Sequence, residues 1–196
     1  MGRRALHLPA VALAAVLLGA CAHAAATKTA SQPAGTATVE RVVDGDTIIV
    51  RVSGRRERIR MIGMDTPESV KTNTPVQCFA IAASNRTKAL LPAGTAVRLV
   101  GDVEQRDKYK RLLAYVYRAK DNQFVNLSLV HDGYAVPYTF PPNVAHTGEF
   151  VAAGADARQA GRGLWSACAP DQRPSHADVA TFRADDHVGR AVGVRP

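Results

Sequence analysis

β-Branched runs and a strictly alternating segment follow one another between Val39 and Met61. Val39 to Val43 and Thr47 to Val52 are β-branched runs on either side of Asp44-Gly45-Asp46, which predicts a hairpin. Ser53-Gly54 then turns the chain into a third strand. There Arg56, Arg58 and Arg60 alternate with Glu57, Ile59 and Met61. Side chains two apart on a strand share a face, so the arginines line one side and Ile59 and Met61 point to the core. Thr74-Pro75-Val76-Gln77 has the form of a helix start, with a Thr N-cap, Pro at the first helical position and Gln closing a capping box. That helix is expected to run to about Leu91 and stop at Pro92 and Gly94. Thr95 to Val103 and Leu112 to Tyr117 predict two more strands. Asn126 to Asp132 predicts a short helix capped by Asn126 and ended by Gly133, and a last helix is expected over Thr147 to Gln159.

This order, three strands, a helix, two strands and further helices, is α+β with a five-stranded sheet. A five-stranded Greek-key barrel of the OB type, with about three helices, satisfies it. No internal repeat interrupts the pattern.

The two ends read differently. Arg3 and Arg4 precede an apolar run, Leu8 to Leu18, too short to span a bilayer as a permanent helix. This is the pattern of a secretory signal. It ends in Leu18-Gly19-Ala20-Cys21, the form of a lipobox whose cysteine becomes the lipidated N-terminus. The alternative is ordinary cleavage after Ala24 or Ala26, because alanines flank His23. The expected organisation is a signal over residues 1–21, a flexible Ala-, Thr-, Ser- and Pro-containing tether over 22–37, one domain over 38–168 and a mobile or loosely docked tail over 169–196. The chain is thus expected to be exported, periplasmic or at the cell surface, and to touch a membrane only through lipid on Cys21.

Charge narrows the partners only slightly. The formal net charge is +8, or +6 once Arg3 and Arg4 leave with the signal. A basic balance favours polyanions such as nucleic acid, or an anionic surface. Of three cysteines, Cys78 and Cys168 remain as an even pair if Cys21 carries lipid. Export permits a disulfide between them, and two free, partly buried thiols are the alternative. There is no C-x-x-C and no Cys/His zinc spacing, and His131, His146, His176 and His187 lack ligand spacing.

Three clusters carry candidate chemistry: Asp44-Gly45-Asp46-Thr47, Arg60-Met-Ile-Gly-Met-Asp65-Thr66-Pro67-Glu68, and Lys108-Tyr109-Lys110-Arg111. Singly, each has an ordinary reading as a hairpin turn, a loop or helix start, and a solvated turn. Together and in this order they resemble the thermonuclease, or staphylococcal nuclease-like, family over roughly Thr38 to Trp165. The family has an OB-type barrel. The resemblance implies a Ca²⁺-dependent phosphodiesterase that cuts DNA and RNA within the strand and leaves 3′-phosphates. It implies that Asp46, Asp65 and the Thr66 carbonyl bind Ca²⁺, with Asp44 behind them, and that Glu68 is the general base. Arg60 and Arg111 would grip the phosphate. Lys108 and Tyr109 would contact a terminal phosphate. Tyr138, with Phe140 beside it, is a candidate base-stacking group.

The chemistry is consistent with those residue types. Carboxylates and carbonyls are hard oxygen ligands suited to Ca²⁺. A guanidinium offers a permanently charged planar fork to phosphate oxygens, which lysine does not. Sequence-tolerant cleavage by a monomer is expected, since no motif for reading base edges is present. The alternative is a non-catalytic OB-fold lipoprotein that binds nucleic acid. One departure stands out: Lys110 occupies a position where the family often has glycine. If that turn needs a positive φ, lysine there costs about 1–2 kcal/mol.

Overall fold

The structure is a computed structural model and describes residues 36–69 and 75–174. The expected signal, Cys21, nearly all of the tether, Thr74 and residues 175–196 lie outside the described residues.

The predicted hairpin forms. β1 (Thr36–Asp44) pairs antiparallel with β2 (Thr47–Val52), joined by the two residues Gly45 and Asp46. β2 pairs antiparallel with β3 (Arg55–Met61), placing Thr47 opposite Arg60 and Arg51 opposite Arg56. Ile59 and Met61 are fully buried while Arg56 and Arg58 are exposed, as the alternation requires. β5 (Ala96–Val100) pairs with β1 and with β6 (Leu112–Arg118), both antiparallel. β6 then pairs parallel with β3 through Ile59 and Leu112. That last pairing closes five strands into the expected barrel and leaves none of the five with an open edge. Val39, Ile48, Val50, Ile59, Met61, Val97 and Val116 fill its core. A two-residue β7 (Gln123–Phe124) extends β6.

Among the described residues four α-helices pack outside: α1 (Ala80–Leu90), α2 (Val125–His131), α3 (Thr147–Gln159) and a single turn, α4 (Leu164–Ala167). α3 has the predicted bounds. Two expected caps are corrected. α1 begins at Ala80 rather than Pro75, with Phe79 at its N-cap in a left-handed conformation, φ 67°. Gln77 does not close a capping box there; its side chain faces Glu68 instead. Asn126 does not cap α2, whose N-cap is Phe124. Asn126 is fully buried, donates to the carbonyls of Ile62 (2.9 Å) and Ala114 (3.2 Å), and accepts the Val116 amide (2.9 Å). An amide with partners on both its donor and its acceptor atoms is tolerated inside a core, and here it ties α2 to two stretches of the barrel.

A small second sheet was not legible in the sequence. β4 (Gly63–Asp65) pairs antiparallel with β8 (Val136–Tyr138), with Asp65 opposite Val136 and Gly63 opposite Tyr138. Gly63 packs so closely on Phe150 of α3 that a Cβ would lie 2.2 Å from the ring. A second apolar cluster, Val136, Ala157, Leu164, Trp165 and Cys168, gathers around the Cys78–Cys168 disulfide. After Cys168 the chain folds back on this cluster: Arg173 donates to the carbonyls of Trp165 and Cys168 at 2.9 and 3.1 Å. Among the described residues no helix is long and apolar enough to cross a membrane.

Candidate active site

The site is assembled where the β1–β2 turn, the strand β3 and the segment after β4 meet. The turn is held from behind by α1: Thr87, fully buried, donates its hydroxyl to the Gly45 carbonyl at 2.7 Å. Gly45 is needed for contact, because a Cβ there would sit 2.7 Å from the Thr66 hydroxyl. The two loops therefore touch, and Thr66 Oγ1 donates to Asp46 Oδ2 at 3.2 Å. Asp46 Oδ1 accepts the Thr47 hydroxyl at 2.8 Å. Asp44 does a different job. It accepts its neighbour's amide, from Gly45 at 2.8 Å, and both the hydroxyl and amide of Ser69, at 2.5 and 3.2 Å. Asp44 thus pins the segment that carries Glu68.

Arg60 stands between the carboxylates. Its Nη1 pairs with Asp46 Oδ2 and its Nη2 with Asp65 Oδ1, the latter at 2.5 Å. Asp46 is 5 % exposed, so its charge needs a cation or donors close by, and the guanidinium supplies one here. Glu68 follows Asp65 through Pro67 and is bracketed by Gln77. Gln77 Oε1 accepts the Glu68 amide at 2.7 Å, and the Gln77 amide donates to the Glu68 carbonyl at 3.0 Å. The residue after Gln77 is Cys78, bridged to Cys168.

Arg60 also lines a cleft of about 430 Å³. Its walls include Lys108, Tyr109 and Arg111 from the turn before β6, and Tyr138 and Phe140 from β8 and beyond. Tyr109 and Phe140 are well exposed, and the Tyr138 and Phe140 rings lie 6.4 Å apart. Asp107 organises the turn: its carboxylate accepts the Tyr109 and Arg111 amides, both at 2.9 Å, and Arg111 Nε at 2.6 Å. Lys110 does adopt the left-handed region, φ 64°, as the glycine usual there would allow. Arg111 nevertheless stays tied to Asp107 and lines the cleft.

The far wall rests on buried polar clamps. Asn143 exchanges hydrogen bonds with the Glu104 backbone, at 2.7 and 3.0 Å. Tyr115 and the Ala145 amide both donate to Asp102 Oδ2, at 3.1 and 3.0 Å. Burial, reinforced by the Asp102 charge, pushes the Tyr115 hydroxyl far above its ordinary range, so it remains a neutral donor.

The structure therefore brings Asp46, Asp65 and Thr66 together around Arg60. Asp44 and Glu68 lie on the same pair of loops, and Arg111, Lys108, Tyr109 and Tyr138 line the cleft that Arg60 shares. Sequence reasoning missed Ser69, Gln77, Thr87 and Asp107. All four act by fixing loops through a few hydrogen bonds each, which leave no periodic or compositional trace. Among the described residues no three His, Cys, Asp or Glu side chains gather as a metal-binding group.

Known proteins share sequence with this chain over most of the barrel. The family model described as "Staphylococcal nuclease homologue" matches residues 58–167. A thermonuclease of Staphylococcus intermedius is 50 % identical over 105 residues, which is 54 % of this chain and 61 % of that protein. A thermonuclease of Staphylococcus hyicus is 41 % identical over 128 residues, 65 % of this chain and 74 % of the relative. Endonuclease YncB of Bacillus subtilis is 37 % identical over 130 residues, 66 % and 61 % of the two chains. The chain thus spans about three fifths of the length of two of these three relatives. With more than half of its residues matched by the family model and the three clusters placed on one barrel, the chain belongs to the family of staphylococcal nuclease homologues.

Proposed function

We propose that this protein is a Ca²⁺-dependent nuclease that hydrolyses phosphodiester bonds in DNA and RNA, within the strand, and leaves 3′-phosphates. The observation that carries the reading is the cation shared by Asp46 and Asp65 through Arg60, which also lines the cleft with Arg111. Two carboxylates already gripping one cation, with the Thr66 hydroxyl bonded to one of them, present hard oxygens of the kind that fits Ca²⁺. When bound by Asp46, Asp65 and the Thr66 carbonyl, the ion would supply positive charge against the phosphoryl oxygens.

The remaining work belongs to the chain. Glu68 holds a water and takes its proton, and its amide and carbonyl are fixed by Gln77 so that the carboxylate is presented from a set backbone. Arg60 and Arg111 meet the charge that builds on the phosphate, each through a fork that is already oriented by a carboxylate. Tyr138 and Phe140 offer aromatic surface to bases whatever their identity, which supports broad specificity, and Lys108 and Tyr109 meet a terminal phosphate. The export signal and the lipobox-like Leu18-Gly19-Ala20-Cys21 support an exported protein, tethered by lipid on Cys21.

The test is digestion of a plasmid and of a single-stranded RNA with Ca²⁺, then with a chelator. Loss of cleavage in the chelator and 3′-phosphate ends on the products are expected. Intact substrate under both conditions would leave a nucleic-acid-binding barrel without catalysis.

A further inference from the structure

The alternation that places Arg60 in the cleft also continues away from it. Arg58 and Arg56 share its face of β3, and Arg51 of β2 lies directly opposite Arg56. Ile49 is paired with Arg58 on one side and Arg41 on the other. All four additional arginines are exposed, whereas Ile49 between two of them is only 8 % exposed. Arginine stems can cover an apolar neighbour and still hold their heads in water, which accounts for Ile49. It does not account for so many like charges on one face, since like charges directly opposite each other destabilise a sheet. Arg51 and Arg56 are such a pair. A single carboxylate, Glu40, is shared between them, at 3.4 and 2.6 Å. Arg41 and Arg58 have no ion pair among the described residues. The patch keeps a net charge of +3 from four arginines and one glutamate.

We infer that this arginine row is a backbone-binding track that extends the catalytic cleft for long polynucleotides, holding phosphates of the strand beyond the scissile position. It rests on the nuclease reading for what happens at Arg60, and adds what determines the preferred substrate length. Geometry favours a strand-like polyanion. Alternate residues on a β-strand lie about 7 Å apart, so Arg60, Arg58 and Arg56 form a line of guanidiniums about 14 Å long that begins in the cleft. Charge complementarity is direct, because guanidiniums form forked bonds to phosphate oxygens. The row touches no base-reading element, so it adds affinity without sequence preference. A dinucleotide would reach the cleft and not the row. A longer strand would reach both.

The test compares the full chain with a triple variant, Arg51→Gln, Arg56→Gln and Arg58→Gln, which keeps stems over Ile49 and leaves Arg60 in place. On a dinucleotide substrate kcat/KM should be unchanged. On a long single-stranded DNA KM should rise about tenfold or more at low salt, with kcat retained. In chelator, binding of the same DNA should show a slope of log K against log salt smaller by about 2, since each lost single-strand phosphate contact removes about 0.7. Glu40→Gln should shift binding the other way and tighten it. The proposal is overturned if the triple variant binds long DNA as the parent does, or if both substrates suffer equally. It is also overturned if the variant loses only its attachment to vesicles containing anionic phospholipid, which would make the row a membrane-facing patch. If the parent cleaves neither substrate, the nuclease reading falls, and the salt-dependent binding arm still decides the role of the row.

Discussion

Asp46 and Lys108 belong to one candidate site, but they are built in opposite ways. Asp46 is 5 % exposed, on a two-residue turn bonded to α1 from behind and to Thr66 from the side. Lys108 lies on an exposed turn held by Asp107 and by Arg106, which donates to the Lys110 carbonyl, and which tolerates a lysine at a positive φ. The difference matches what each half is asked to do. Under the proposed function, a carboxylate that holds a cation must be fixed within a fraction of an ångström, and Asp46 is buried at the end of a barrel hairpin. Groups that hold a flexible polyanion gain from reach and exposure. Substitutions should therefore be unforgiving on the carboxylate side and graded on the basic side.

Glu68→Gln should produce the largest loss. The amide keeps the size and the Gln77 contacts of the backbone but cannot accept a proton. Turnover should fall by about 10²–10⁴-fold with substrate binding retained, as measured by single-turnover cleavage. Near-normal turnover in a folded variant would remove Glu68 from the mechanism.

Arg60→Lys and Arg111→Lys separate the two regions. Both keep the charge and lose the fork. Arg60 bridges two carboxylates, so its variant should lose about 10²-fold or more in kcat. Arg111 is tied to one carboxylate, Asp107, and lies over the Tyr109 ring on the exposed turn, so its variant should lose less. Equal losses would mean that the two halves are held with the same precision.

Cys78→Ser with Cys168→Ser tests the frame rather than the chemistry. The bridge spans 90 residues. Closing a loop of that size gives about 4–5 kcal/mol in the entropy model, and about 2–4 kcal/mol is the common realised value. Denaturant unfolding should show that loss, with activity retained below the melting transition. Quantitative thiol labelling of the unreduced, denatured parent would contradict the bridge.

Lys110→Gly should have the smallest effect. It removes the penalty of a left-handed lysine but adds unfolded-state entropy, leaving a gain of no more than about 1 kcal/mol. Cleavage should change little, because Asp107 rather than Lys110 orients Arg111.

The legibility of the chain follows the same division. Strand alternation in Arg55–Met61 showed which side the arginines occupy, because a period of two is imposed by the backbone itself. α3 was legible to the residue. The parallel β3–β6 closure was not, since a pairing between Ile59 and Leu112 has no local pattern. Nor was the β4–β8 pair, whose strands are three residues long and far apart in sequence. Gln77 and Asn126 looked like cap residues because both types do cap helices. Tertiary partners, the Glu68 backbone and the Ile62 and Ala114 carbonyls, claimed them instead. In the site, residue types and order pointed to the carboxylates and arginines. That Arg60 clasps both Asp46 and Asp65 could be seen only in three dimensions.

The central claim is that Asp46 and Asp65 form the cation site of this nuclease homologue. Calorimetric titration of Ca²⁺ into the parent, Asp46→Ala and Asp65→Ala tests it most directly. The account predicts binding by the parent and loss of binding in both variants. Unchanged Ca²⁺ affinity in both variants would place the metal elsewhere and contradict the account.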